Sequence, residues 1–110
     1  MKRTFITTNY FDKAWQALGL SDSDLIRLEK LLLKNPEAGA VIQGTNGARK
    51  IRLEYAGKGK SGGARIIYVD IVVKEAVYLL MAYSKGTREN ISADDKKVIA
   101  KLISELKREV

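Results

Sequence analysis

Arg49-Lys50-Ile51-Arg52-Leu53-Glu54-Tyr55, followed by Ala56-Gly57-Lys58-Gly59-Lys60-Ser61-Gly62-Gly63 and then Ala64-Arg65-Ile66-Ile67-Tyr68-Val69, is the stretch from which the fold can be read. Ile51 and Leu53 alternate with Lys50, Arg52 and Glu54, the two-residue period of a half-buried strand, so Lys50 and Arg52 share one face. The glycine- and lysine-rich middle does not belong inside a strand. Arg65 to Val69 resumes a β pattern, which makes the whole a hairpin with a long connection. Asp70 to Lys74 makes a looser turn into Glu75 to Tyr83, the most apolar run present. Being apolar on both parities, that run predicts a central strand buried on both faces.

Toward the N-terminus, Thr4 to Thr8 reads as a short strand, with Phe5 and Ile6 beside β-branched threonines. Asn9 is the expected N-cap of a helix from about Tyr10 to Leu18, where Phe11, Ala14, Trp15 and Leu18 form one apolar stripe and Gly19 ends it. Ser21 with Asp24 has the spacing of a capping box, and Leu25, Leu28 and Leu32 continue an apolar face to about Lys34. Asn35-Pro36 stops that helix, because a residue before proline is pushed out of the α region. Glu37 to Gly47 reads as loop around the apolar pair Val41-Ile42. Beyond the apolar run, Ser92 with Asp95 repeats the capping spacing, and Val98, Leu102 and Leu106, with Ile99 and Ile103, form the last helical stripe. The order β, α, α, β, β, β, α, without repeat or linker, predicts a single α+β domain over residues 1–110. Its expected form is a small antiparallel-rich sheet of about four strands with helices packed on one face.

A chain of 110 residues, 45% hydrophobic and 30% charged, is long enough for one core and too short for two. With neither cysteine nor histidine, it has no disulfide, no thiolate nucleophile, no imidazole acid or base and no sulfur or imidazole metal ligand. No metal or cofactor is expected. The opening residues lack the apolar core of a signal peptide, and Ala76 to Tyr83 is far short of a membrane span. A cytoplasmic protein without a membrane partner is the expectation.

The net charge of +7 is unevenly placed. Arg49, Lys50, Arg52, Lys58, Lys60 and Arg65, set against Glu54 alone, supply five of the seven net charges within seventeen residues. Glycines let a backbone approach phosphate with free N–H groups, and Lys and Arg supply charge, Arg as a bidentate fork. The segment therefore suits a polyanion, above all a nucleic acid backbone. It lacks the Gly-x-x-x-x-Gly-Lys-Ser/Thr spacing of a P-loop and leads to a strand and not a helix, which excludes an NTPase. Lys50, Arg52, Arg65 and the Tyr83-Ser84-Lys85 strand end together predict a patch of at least four cations and a phenol. Phe11, Trp15, Ile66, Ile67, Leu79 and Leu80 are assigned to the core. Asp94 and Asp95 belong to the dipole of the last helix.

Asn35-Pro36, Val41-Ile42-Gln43-Gly44-Thr45-Asn46-Gly47, Arg49-Lys50-Ile51-Arg52, the run from Gly57 to Tyr68 and Leu79-Leu80-Met81-Ala82-Tyr83-Ser84-Lys85 together resemble the RelE/ParE toxin superfamily, specifically its HigB-like branch. The resemblance spans nearly the whole chain. It implies a toxin of a type II toxin–antitoxin pair that cuts messenger RNA on the ribosome. Its partner is then a cognate antitoxin, usually one with a helix-turn-helix DNA-binding domain. Carried over by position, the family's cationic site residues fall on Lys50, Arg52, Arg65 and Lys85. The chain departs from the family pattern after Lys85, with Gly86-Thr87 where Asn-Glu is the rule.

Cleavage without metal needs the RNA 2′-hydroxyl to attack its own phosphate, a dianionic phosphorane to be stabilised and the 5′-oxygen to leave protonated. With no histidine, either a lysine serves as base, its neutral form favoured by clustered cations, or tyrosine, ribosomal RNA and positioning carry more of the catalysis. Lys50 is the expected base, Arg52 and Arg65 hold phosphate oxygens, and Lys85 or Tyr83 stands near the leaving oxygen. Arg49, Lys58 and Lys60 are expected to bind the RNA backbone. Two other readings stay open at this stage, a ParE-like gyrase inhibitor and a non-catalytic basic RNA-binding module. The former generally lacks such a cationic cluster.

Overall fold

The computed structural model describes residues 2–55, 63–84 and 91–108. In chain order its elements are β1 (Thr4–Thr7), α1 (Asn9–Ala17), α2 (Asp22–Lys34), β2 (Ala40–Val41), β3 (Arg49–Leu53), β4 (Ala64–Ile71), a 3₁₀ turn (Val72–Lys74), β5 (Ala76–Ser84) and α3 (Ala93–Arg108). The strands form one sheet in the order β1-β5-β4-β3-β2. Among the described residues only the β1–β5 pair is parallel. The expected α+β class with a largely antiparallel sheet therefore holds, with five strands in place of about four. The extra strand, β2, lies in the segment read as loop. Two residues carry no period of their own, and Ala40 and Val41 become a strand only by pairing with Lys50 and Arg49.

The helix ends follow the sequence closely. Ser21 and Asp24 form the capping box of α2, each side chain accepting from the other's backbone N–H. Ser92 and Asp95 repeat it at α3. At α1 the cap is Thr8 instead of Asn9: its hydroxyl oxygen accepts from Phe11 N–H at 3.0 Å. The strand runs straight into the helix, so the last extended residue becomes the cap. At the other end Leu20 N–H and Gly19 N–H close on the Trp15 and Gln16 carbonyls, the Schellman pattern. Leu20 and Trp15 then enter the same core.

Two cores separate the layers. Phe11, Trp15, Leu28 and Leu32 from α1 and α2 pack against Leu53, Ala64, Ile66, Tyr68, Val77 and Leu79 on one side of the sheet. Ile99 and Ile103 from α3 pack with Ile67, Val69, Ile71, Met81 and Tyr83 on the other. The expectation that all helices share one face is corrected here. An apolar helical stripe says that a helix is buried; it does not say against which face. β4 and β5, apolar on both parities, need cover on both sides. The stripe of α3 is centred on Ile99 and Ile103, leaving Val98 68% exposed.

β5 contains a bulge. Ile67 pairs with Met81 and Tyr68 with Leu79, so Leu80 is the extra residue. It inverts the parity of the strand: Val77 and Leu79 face α1 and α2, whereas Met81 and Tyr83 face α3. Near the N-terminus, Arg3 forks onto the Asp70 carboxylate at 2.7 and 3.2 Å and ties the chain start to β4. No helix among the described residues is long and apolar enough to cross a membrane.

Candidate nucleic-acid interface

Because Ile51 and Leu53 face α1 and α2, strand alternation turns Lys50 and Arg52 to the other side of β3. Arg65 lies between Ala64 and Ile66, which face α1 and α2, and so also points to that side. Register then aligns them: Arg52 is directly across from Arg65, and Arg65 directly across from Tyr83. Lys50 occupies the next row, across from Ile67. Neighbouring strands are about 5 Å apart and same-face positions along a strand about 7 Å apart, so the three cations fall within reach of one phosphodiester. Two arginines directly opposite each other repel and lower sheet stability. Such a pair is what a site for an anion needs.

The three cations differ in exposure. Arg52 is 52% exposed and its contact with Glu54, at 3.2 Å, is between exposed groups, where ion pairs contribute little. Lys50 and Arg65 are half-buried. Tyr83 differs from its expected role. It is 6% exposed and its hydroxyl is shut off from solvent, with the ring in the α3-side core. It lies beside Arg65 on the same face, and a hydroxyl so buried does not fit the expected place near a leaving oxygen. Lys58, Lys60 and Lys85 lie outside the described residues. Of the glycine-rich segment, Gly63 is described, and its need is steric: φ is +78°, and a Cβ there would collide with the Leu53 carbonyl oxygen.

Arg49 does not join this face. One position out of phase with Lys50, it lies across from Tyr68 on the α1–α2 side. Its guanidinium donates to the Gly39 carbonyl at 2.8 Å and the Glu37 carbonyl at 3.2 Å. Arg49, expected to grip RNA, is set by that parity apart from Lys50, Arg52 and Arg65, and it holds the loop before β2. Tyr68 does the same from beneath, donating to the Pro36 carbonyl at 2.7 Å and accepting from Gly39 N–H at 2.9 Å. Burial pushes the Tyr68 hydroxyl above its ordinary pKa, against the Gly39 hydrogen bond and the Arg49 charge.

Sequence reading missed two other supports. The Thr45 hydroxyl donates to the Ile42 carbonyl at 2.6 Å and accepts from Ala48 N–H at 3.1 Å, closing the turn before β3. Asn46 and Lys107 then join that turn to α3, through the Ala100 carbonyl and the Asn46 carbonyl. A groove of about 370 Å³ lined by Thr8, Tyr10, Leu80, Met81, Val98 and Leu102 lies beside α3. It is apolar and holds none of the three cations, so it is not where a phosphate would sit. Among the described residues no group of three acidic, histidine or cysteine side chains is placed to hold a metal ion.

The family model described as the RelE toxin of the RelE/RelB toxin–antitoxin system matches residues 2–109. The chain belongs to the RelE toxin family. It is thus the toxin component of a toxin–antitoxin system. Solved RelE structures share the fold. A substituted form of the E. coli RelE toxin in the free state superposes with a TM-score of 0.56 at 23% identity, over 81% of this chain and 90% of that one. The toxin–antitoxin complex of E. coli RelBE gives 0.53 at 22% identity, over 74% and 94%. The isolated E. coli RelE toxin gives 0.54 at 19% identity, over 93% and 99%.

Proposed function

We propose that this RelE-family toxin is a metal-independent endoribonuclease that cuts messenger RNA on the ribosome, belongs to the HigB-like branch and acts in the cytoplasm. The observation that carries the reading is the row Arg52–Arg65–Tyr83 with Lys50 one row away on the same face. In this reading Lys50 takes the proton from the 2′-hydroxyl and the oxygen attacks the adjacent phosphorus. Arg52 and Arg65 hold the two non-bridging oxygens as negative charge grows on them. The 5′-oxygen leaves with a proton from Lys85, since the buried Tyr83 hydroxyl is turned away from solvent. The bond between phosphorus and the 5′-oxygen breaks as the bond to the 2′-oxygen forms, which leaves a 2′,3′-cyclic phosphate and a 5′-hydroxyl. Lys58 and Lys60 grip the RNA backbone. The partner that silences the toxin is an antitoxin with a helix-turn-helix domain; the E. coli relative is known with its antitoxin bound.

The test is cleavage of messenger RNA on translating ribosomes by the wild type, Arg65→Ala and Lys50→Ala, with the product ends identified. Loss of at least a hundred-fold in rate is expected for Arg65→Ala, the size seen when one oxyanion donor is removed. Wild-type rates in both variants would place the chemistry elsewhere. DNA supercoiling measured beside it separates a gyrase inhibitor.

A further inference from the structure

Thr8 is the junction of β1, α1 and β5. Its N–H donates to the Leu79 carbonyl at 3.2 Å, and its hydroxyl donates to the carbonyl of Leu80, the bulged residue, at 2.9 Å. The same oxygen accepts from Phe11 N–H as the cap of α1. One side chain thus uses its donor on the bulge and its acceptor on the helix. A bulge leaves its extra residue outside the regular ladder, so a side-chain donor aimed at that carbonyl favours the bulged register over the regular one. The register matters for the cationic face. With Leu80 as the extra residue, Tyr83 shares a face with Arg65; without it, strand alternation would return Tyr83 to the side of Val77 and Leu79.

We propose that Thr8 is a positioning residue for the Arg52–Arg65–Tyr83 row, acting through the hydrogen bond of its hydroxyl to the β5 bulge. This rests on reading that row as the RNA-cleaving face. Cap and bulge can be separated by chemistry. Thr8→Ser keeps donor and acceptor. Thr8→Asp keeps the acceptor, as a good N-cap, and loses the donor.

The experiment uses the full chain and three readouts: melting temperature, kcat and KM for messenger RNA cleavage on translating ribosomes, and the ring NMR signals of Tyr83, assigned with Tyr83→Phe. Thr8→Ser is expected to match the wild type in all three. Thr8→Asp is expected to melt within about 4 °C of the wild type, to shift the Tyr83 signals and to lose ten- to a hundred-fold in kcat, the scale of a small misplacement. KM should stay within about two-fold, because Lys50, Arg52 and Arg65 are all retained and only one negative charge is added. Unmoved Tyr83 signals in Thr8→Asp would overturn the proposal, as would moved signals with wild-type kcat. If the wild type itself does not cleave RNA, the functional reading fails, and the Tyr83 signals still decide whether Thr8 holds the bulge.

Discussion

At Tyr68 a single buried hydroxyl satisfies two backbone groups, the Pro36 carbonyl and Gly39 N–H. Replacing it by Phe leaves both buried without a partner, and Tyr68→Phe should lower unfolding free energy by about 1–3 kcal/mol in urea titrations. The pH dependence has a fixed sign. Burial raises the hydroxyl's pKa in the folded state, so its contribution is complete below the unfolded value, about 10, and is lost as pH rises beyond it. Tyr68→Phe should therefore flatten the alkaline loss of stability. Gly39 is needed beside it, since a Cβ would meet the Lys50 carbonyl oxygen and the Tyr68 ring at 2.9 Å. Arg49 belongs to the same loop clamp. Arg49→Ala should lower the melting temperature while leaving the salt dependence of RNA binding unchanged. A flattened slope would return Arg49 to the binding face.

Among the elements, α2 is the one whose boundaries are most local. Its capping box lowers the pKa of Asp24, chiefly through the hydrogen bond from Ser21 N–H. A carboxyl depressed in the folded state stabilises above its unfolded value, about 4, and that contribution is lost as pH falls. Asp24→Asn should reduce the acid-side slope of stability, and Ser21→Ala should cost about 1 kcal/mol at neutral pH, both measurable by chemical denaturation. These caps were legible in the sequence because four consecutive residues contain the whole interaction. The strand β2 was not, because Ala40 and Val41 become a strand through residues eight and ten positions away. The Leu80 bulge was hidden for a related reason: an unbroken apolar run has no parity to read until its partner strand sets one.

For the whole molecule, charge and layering act together. α1 and α2 cover one side of the sheet and α3 the other, and Lys50, Arg52 and Arg65 lie on the α3 side. With five of the net +7 charges between residues 49 and 65, RNA affinity should fall steeply with salt. Lys58→Ala with Lys60→Ala should flatten the slope of log affinity against log salt by one to two units if both meet phosphates. An unchanged slope in filter binding would remove them from the interface. The amino-acid order alone determined the α+β class, the capping boxes of α2 and α3, most core residues and the cationic hairpin, since each rests on periods or spacings within a few positions. Only the tertiary structure decided which side α3 covers, that Arg49 turns away while Lys50 and Arg52 do not, and that Tyr83 is buried beside Arg65. Those outcomes depend on register and on a bulge, and both are set by pairing between strands that the chain brings together only when it folds.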